Sequence, residues 1–426
     1  MKVMHKLLPT LVLALCSIPG GRAQGTFAIK DAKIVTVAGD TIPRGTVLIQ
    51  DGVITAVGAK VSIPSRARVI RARNLTVYPG LFDANTQLGL TEIGQVAVTN
   101  DFNEMGDYTP QLMAFTAFHV ESEHLPVARV DGITHVLTRP SGGVIPGQAA
   151  VMSLAGWDQE EMEIRRHGAM MLNFPSLLPL RRGFFGPRSR PRPYAEQKKE
   201  FEKKRGQLKE LLAKVRHYKK AKEAGVSVTF NKQLEALIPV VTGELPVLIQ
   251  ADSHVDIKEA VQFAGKEGLN YVLLGAADAW KVADFLKENE VRVILGPTQR
   301  LPLREDDPID IFYRTPAILH QKGVRFAIAT GGAANARTLA FEVGNAVAYG
   351  LPYDVALRSI TLTPAEFLGL SDQVGSIEKG KKANLVVADG DILEYQTRVR
   401  HVFINGAPIS LESKHTRLYR KYINRP

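Results

Sequence analysis

The sequence predicts an α/β protein: a (β/α)8 TIM-like barrel carrying a small β-sandwich built from both chain ends. Three observations predict it. Short β-rich runs punctuated by Asp-Gly and Asn-Gly pairs lie near both termini. Between them, apolar runs alternate with amphipathic stretches over roughly 300 residues, close to the usual size of such a barrel. The apolar runs, such as Tyr271-Val272-Leu273-Leu274 and Val291-Arg292-Val293-Ile294-Leu295, suit strands covered by helices.

The chain begins with Lys2, His5 and Lys6, an apolar run from Leu7 to Ile18, and small residues up to Ala23. This order predicts a secretory signal peptide over residues 1–23, with cleavage after Ala23. A membrane anchor is the rival, but the run is short against roughly 30 Å of hydrocarbon. A lipoprotein signal at Cys16 is the other rival, disfavoured because Leu15 is bulky where such signals carry a small residue. Cys16 is the one cysteine in the chain, so the mature protein would have none, which suits an oxidising compartment. The expected location is the periplasm or the exterior.

Residues 24–75 and 376–412 are the expected sandwich. Residues 26–63 read as short strands, with Asp51-Gly52 between Gly45–Gln50 and Val53–Val57. The far end repeats that texture in Ala383–Ala388, Asp389-Gly390, Val399–Ile404 and Asn405-Gly406. Residues 76–375 form the expected barrel, with helical patterns over 256–268 and 279–289. Residues 181–222 read as an inserted segment: an irregular loop to Pro193, then a long exposed helix with Leu208, Leu211, Leu212, Val215 and Tyr218 at 3–4 spacing. Residues 413–426 are a basic tail.

Hydrophobic content of 45% with 23% charged residues excludes wholesale disorder and a polytopic membrane protein. The net charge of +11 is local in origin: 181–222 holds 16 Lys and Arg against 4 Asp and Glu, and the tail adds five more cations. The rest of the mature chain is net acidic. Export argues against nucleic acid as a partner. The basic helix and tail are expected to face an anionic envelope surface or a protein partner, with self-association left open.

Several segments carry a resemblance. Tyr78-Pro79-Gly80-Leu81-Phe82-Asp83-Ala84-Asn85-Thr86-Gln87 resembles the opening of the barrel in the amidohydrolase superfamily, where Pro-Gly-Leu-Ile-Asp precedes a His-x-His pair. Gly375–Val386 is similar to that family's return into its β-domain, with Asn384 where Asp is usual. Thr361-Leu362-Thr363-Pro364-Ala365 is similar to a helix start of the imidazolonepropionase-like branch. Pro140–Gln148 is similar to a loop of exported members. The resemblance implies hydrolysis of carbon–nitrogen bonds, in non-peptide or dipeptide-like substrates, by one or two divalent metals at the barrel mouth. There a metal polarises the carbonyl and lowers the pKa of a bound water.

At the positions the resemblance assigns to ligands, the residue types differ. The strand-1 pair is Asn85 and Gln87, whose carboxamides offer only neutral oxygens, poor donors for zinc or nickel. The next histidine position falls in Gln250-Ala251-Asp252, the following one at Gly275, and the final aspartate at Gly332. No lysine lies in 164–174 to be carbamylated. The expectation is therefore no metal, although the family implies one.

Polar groups expected at the mouth are Asn85, Gln87, Arg139, Gln250, Asp252, Asp278, Thr330 and Asn335, with His254 the one histidine of functional interest. His135 alternates within a strand and reads as a core or lumen residue. For Asn85 and Gln87 two readings stand: a pocket for a small amide- or carboxylate-bearing ligand, or carboxamides filling a vacated site with hydrogen bonds. Asp252 and Asp278 stand either as general bases or as an ion pair or cap. Ser141 has no base beside it. Three functions follow: a metal-free ligand-binding member, a carbon–nitrogen hydrolase using Asp252 or Asp278, and an interaction protein acting through its basic helix.

Overall fold

Local turn chemistry sets the first sheet. β1 (Phe27–Ile34) runs antiparallel to β2 (Ile42–Gln50), which turns into β3 (Val53–Gly58). Asp51 and Gly52 hold φ of 48° and 86°, the left-handed pair that a two-residue hairpin needs. β4 (Arg68–Arg71) and β5 (Thr76–Pro79) both pair parallel to β1. The computed structural model describes residues 25–177, 193–423 and 425. The signal-peptide reading, Cys16 and most of the expected irregular loop lie outside the described residues.

The barrel follows in β6 (Leu81–Thr86), β7 (Ile133–Thr138), β8 (Gly147–Ser153), β9 (Glu163–Asn173), β10 (Val247–Ala251), β11 (Tyr271–Gly275), β12 (Val293–Leu295) and β13 (Phe326–Ile328). Their order in the sheet is the order in the chain. Seven are mutually parallel, but β8 runs antiparallel to both β7 and β9, which corrects the regular eightfold β/α repeat. The loops on either side of β8 are too short to hold a helical crossover, so the strand has to reverse. The ends meet where the Gly331 N–H donates to the Asn85 carbonyl at 2.9 Å, giving a nearly closed TIM-like barrel.

The chain then returns to the first sheet through β14 (Leu385–Ala388), β15 (Val399–Ile404) and β16 (Ala407–Ile409). β14 pairs with β5, so both chain ends share one eight-stranded sheet. Where a two-layer sandwich was expected, hydrogen bonding is continuous, and the sheet rolls over its own core instead. Phe27 of β1 meets Phe403 of β15 edge-on, 5.6 Å between centroids, although two strands lie between them in the sheet. At Gly406 a β-carbon would come within 2.6 Å of the Gly52 α-carbon, so the two hairpin turns abut because both carry glycine. The Asp389-Gly390 pair is not such a turn; Asp389 anchors a longer loop through the Arg398 N–H.

Inside the barrel, Phe82, Leu137, Met171, Leu248, Val272, Leu274 and Ile294 form a core that Phe367, Leu368 and Leu370 extend. The Arg165 guanidinium near the start of β9 holds the Gly369 carbonyl at 2.8 Å, so this plug fills the end where the strands begin. The opposite end, where the strands finish, is left to polar side chains.

The long helix Tyr194–Glu223 corrects the expectation of a projecting, exposed element. It lies in the β9-to-β10 connection and buries Phe201, Leu208, Leu212 and Val215. Much of its charge is paired, as in Arg205–Glu259 at 2.8 Å and Arg216–Glu267 at 2.7 Å. The basic tail carries a helix over Lys414–Ile423.

Candidate functional site at the barrel mouth

The mouth is built from the last residues of β6, β7 and β10 to β13 and the loops that follow them. Asp83, within β6, is fully buried. Its carboxylate accepts from the Thr330 hydroxyl, from the Thr330 N–H at 3.2 Å and from the Asn85 N–H at 3.2 Å. Burial pushes its pKa up to about 7; the hydrogen bonds from Thr330 oppose that rise without cancelling it. Asp83 thus joins the first strand of the barrel to the last. Sequence reasoning did not single it out, although it stands in the Pro-Gly-Leu-Phe-Asp motif that carried the resemblance.

Asn85 and Arg139 come together as expected of mouth residues. The Arg139 Nε–H donates to the Asn85 side-chain oxygen, and both side chains are largely buried. Gln87 sits beside Ser141, its amide donating to the hydroxyl across a long 3.4 Å. Gln250 is the last residue but one of β10, in register with Asn173 of β9 and Leu274 of β11. Its side chain is half-buried and has no hydrogen-bond partner among the described residues.

Asp252 and Gly275 are neighbours. A β-carbon at Gly275 would lie 2.6 Å from the Asp252 Oδ1, and Gly275 has a φ of +84°. The carboxylate therefore occupies the space over a glycine that its backbone conformation also favours. Gly332 is the reverse case: a β-carbon there would meet nothing within 4 Å.

Asp278, read from the sequence either as a general base or as an ion pair or cap, is 1% exposed. The Arg304 guanidinium donates to both carboxylate oxygens at 2.7 and 2.9 Å, and the His254 N–H donates at 3.0 Å. Burial alone would raise this carboxyl, but the Arg304 fork and charge and the His254 N–H outweigh it and hold it below the usual range. The ion-pair reading describes it. His254 does approach it, with Nδ1 at 3.3 Å from the carboxylate and the ring partly open to solvent.

Two further residues were expected at the mouth. Thr330 is buried and spends its hydroxyl on Asp83. Asn335 is exposed at the start of a short 3-10 turn, and its side chain meets none of the other mouth residues among the described contacts. His135 lies in the lumen with its ring centroid 4.5 Å from that of Phe82. Burial lowers its pKa to about 3, so it is neutral. Glu342 was not anticipated. Its buried carboxylate takes the Thr298 and Gln299 N–H groups at 2.7 and 2.8 Å, fixing the loop after β12. It lies 44 residues from Thr298, so no local signal could have paired them.

A shallow cavity of about 10 Å³ lies beside Gly275, Leu295 and Phe312. The larger cleft, about 650 Å³, is remote from the mouth. It lies where Tyr78 of the rolled sheet faces Tyr353 and Asp391. Size alone does not make it the site, since the resemblance and the convergent polar groups both point to the strand ends.

Comparison with known proteins agrees with this architecture. The amidohydrolase family profile matches residues 246–409. The chain is 23% identical over 414 residues to the amidohydrolase tasK of Hapsidospora irregularis, covering 88% of this chain and 41% of that protein. It is 30% identical over 150 residues to an imidazolonepropionase of Mesorhizobium japonicum, covering 34% of this chain and 35% of that one. It therefore spans less than half the length of these curated relatives. Among solved structures, an amidohydrolase from Thermotoga maritima superposes with a TM-score of 0.79 at 24% identity, covering 90% of this chain and 99% of the other. A prolidase complexed with N-methylphosphonate-L-proline superposes at 0.55 with 17% identity, covering 90% and 99%. The family profile, these relatives and the barrel architecture all support the amidohydrolase superfamily for this chain.

Proposed function

We propose that this hydrolase-like chain is a metal-independent member of its superfamily whose barrel mouth binds a small amide- or carboxylate-bearing ligand. The observation that carries the proposal is the buried Arg139–Asn85 hydrogen bond. It stands at the first position where the family resemblance expects an imidazole ligand. There a guanidinium already takes the carboxamide oxygen that a metal would need, and its positive charge opposes a divalent cation.

The remaining donors do not fit a divalent metal either. Gln87 and Gln250 supply neutral oxygens, Gly275 and Gly332 supply no side-chain donor, and Asp278 is committed to Arg304. Among the described residues no three His, Cys, Asp or Glu side chains converge. Tight metal sites draw apparent binding energies of roughly 10–16 kcal/mol from full sets of strong ligands. We derive no catalytic step through a metal at this mouth.

Ligand binding is supported by what stays available. The Gln250 carboxamide has no partner among the described residues, Gln87 holds Ser141 weakly, and the space over Gly332 is open. Neutral donors and acceptors of this kind match amide and carboxylate groups without the cost of burying a new charge. In this proposal the likeness to an imidazolonepropionase concerns the kind of ligand, a small polar molecule with an amide-like group.

The test is elemental analysis of protein purified without chelator, beside assays on cyclic amides and dipeptides with and without added zinc or manganese. The expected result is no stoichiometric metal, no metal-stimulated turnover, and thermal stabilisation by a subset of the amides that Gln250→Ala weakens. One tightly held equivalent of transition metal, or metal-stimulated hydrolysis lost in Asp252→Asn, would overturn it.

A further inference from the structure

The helix Lys414–Ile423 faces the wrong way for a helix of a soluble surface. Its start is fixed: Ser413 is buried, its hydroxyl accepts from the Thr416 N–H at 3.3 Å, and its own N–H donates to the Thr416 hydroxyl at 2.8 Å. That reciprocal cap sets the direction in which the helix leaves the body. Arg417 then donates to both carboxylate oxygens of Glu123 at 2.8 and 3.0 Å, and Arg420 pairs with Glu412 at 3.4 Å.

At about 100° per residue, Lys414, Arg417, Arg420 and Lys421 share one side, while Leu418, Tyr419, Tyr422 and Ile423 share the other. Arg417 and Arg420 tie the charged side to Glu123 and Glu412 in ion pairs that themselves stay exposed. The apolar side is left in water: Leu418 is 40% exposed, Tyr419 65%, Tyr422 55% and Ile423 59%, and no residue of the helix is buried. A contiguous exposed apolar stripe on a helix anchored at its start by Ser413 and along its other side by Arg417 is placed to meet a surface.

We propose that this helix is an interfacial anchor that lies flat on an anionic lipid bilayer. Leu418, Tyr419, Tyr422 and Ile423 enter the boundary between headgroups and acyl chains, where the tyrosine hydroxyls keep their hydration and the rings leave water. Lys414 and Lys421 make no ion pair among the described residues, and on the helix they border the stripe where lipid phosphates lie. This charge complementarity selects lipid over a second copy of the chain, because a symmetric pairing through the same face would bring these cations against their counterparts. No described helix is long and apolar enough to cross a membrane, so the contact is along the surface.

The experiment is co-sedimentation of the full chain with phosphatidylglycerol–phosphatidylcholine vesicles and with phosphatidylcholine vesicles, at low and high salt. Binding to the anionic vesicles is expected to exceed that to neutral ones by about tenfold and to fall with salt. Leu418→Asp with Ile423→Asp should lower anionic-vesicle binding about tenfold with an unchanged melting temperature, because both side chains are exposed. Binding retained in that double variant would place the contact on other basic surfaces and overturn the proposal. So would equal binding to both vesicle types, absence of binding, or a concentration-dependent dimer in solution that the double variant abolishes.

Discussion

The Asp252 carboxylate lies directly over Gly275, with Oδ1 2.6 Å from where a β-carbon would stand. Residues from neighbouring strands of the barrel thus share one volume at the mouth. A side chain at 275 and the present Asp252 conformer exclude each other, and the φ of +84° at Gly275 disfavours any side chain there.

This relationship separates two glycines at the mouth. Gly275→Ala should destabilise the protein by about 1–2 kcal/mol, since the left-handed backbone cost remains even if Asp252 swings aside. Adding Asp252→Ala should recover only part of the loss. Gly332→Ala should be within about 0.5 kcal/mol of the parent, because a β-carbon there meets nothing. Urea melts of the three variants check this; equal costs at 275 and 332 would contradict the geometry.

Asp83 should make stability depend on pH in an uncommon direction for a carboxylate. Its folded pKa, about 7, is above the unfolded value near ~3.9, so the folded state binds the extra proton between them. Its contribution is complete below about pH 4 and is lost as pH rises through about 7. Asp131, raised to about 6 by burial, adds in the same sense. Asp83→Asn should flatten the decline by up to about 1.4 kcal/mol per pH unit in that window. Unfolding curves of both proteins from pH 4 to 8 measure it, and parallel profiles would show that Asp83 is not the titrating group.

Arg304→Ala should cost about 2–3 kcal/mol at neutral pH, because it strands the buried Asp278 charge. Asp278 is held below its usual pKa, so the stabilisation it receives is present above the ordinary carboxylate range and fades as pH falls through its lowered value. The penalty should therefore shrink in acid. Arg304→Ala with Asp278→Asn should be milder than Arg304→Ala alone, as denaturant titrations of single and double variants would reveal.

Phe201→Ala should cost about 3–5 kcal/mol, since the ring is 4% exposed and packs edge-on against Phe174 at 6.1 Å. A helix merely attached to the outside of the barrel would tolerate the change. Thermal melts decide between the two, and a loss under about 0.5 kcal/mol would restore the picture of a dispensable insertion.

Much of the fold was legible because its signals are local. Asp51-Gly52 and Asn405-Gly406 need nothing beyond their own backbone preferences to turn a chain, and all four residues take positive φ. The helix His254–Lys266 begins two residues before the expected 256, at a cap where the Ser253 hydroxyl accepts from the Asp256 N–H at 3.1 Å. Asn85, Gln87, Gln250 and Asp252 were singled out by the family resemblance, and they lie at or just past the ends of β6 and β10.

What the sequence by itself determined was therefore part of the set of strands, their approximate ends, and which residue types stand at them. Only the tertiary structure decided what those residues do. Asp83 meets Thr330 across 247 residues, Arg304 reaches Asp278 across 26, and Arg417 turns the last helix onto Glu123 across 294. The reversal of β8 and the rolling of the first sheet also depend on which strands find one another in space. A turn or a cap is fixed by the few residues that form it. Closure, burial and charge pairing are fixed by distances that exist only once the whole chain has folded.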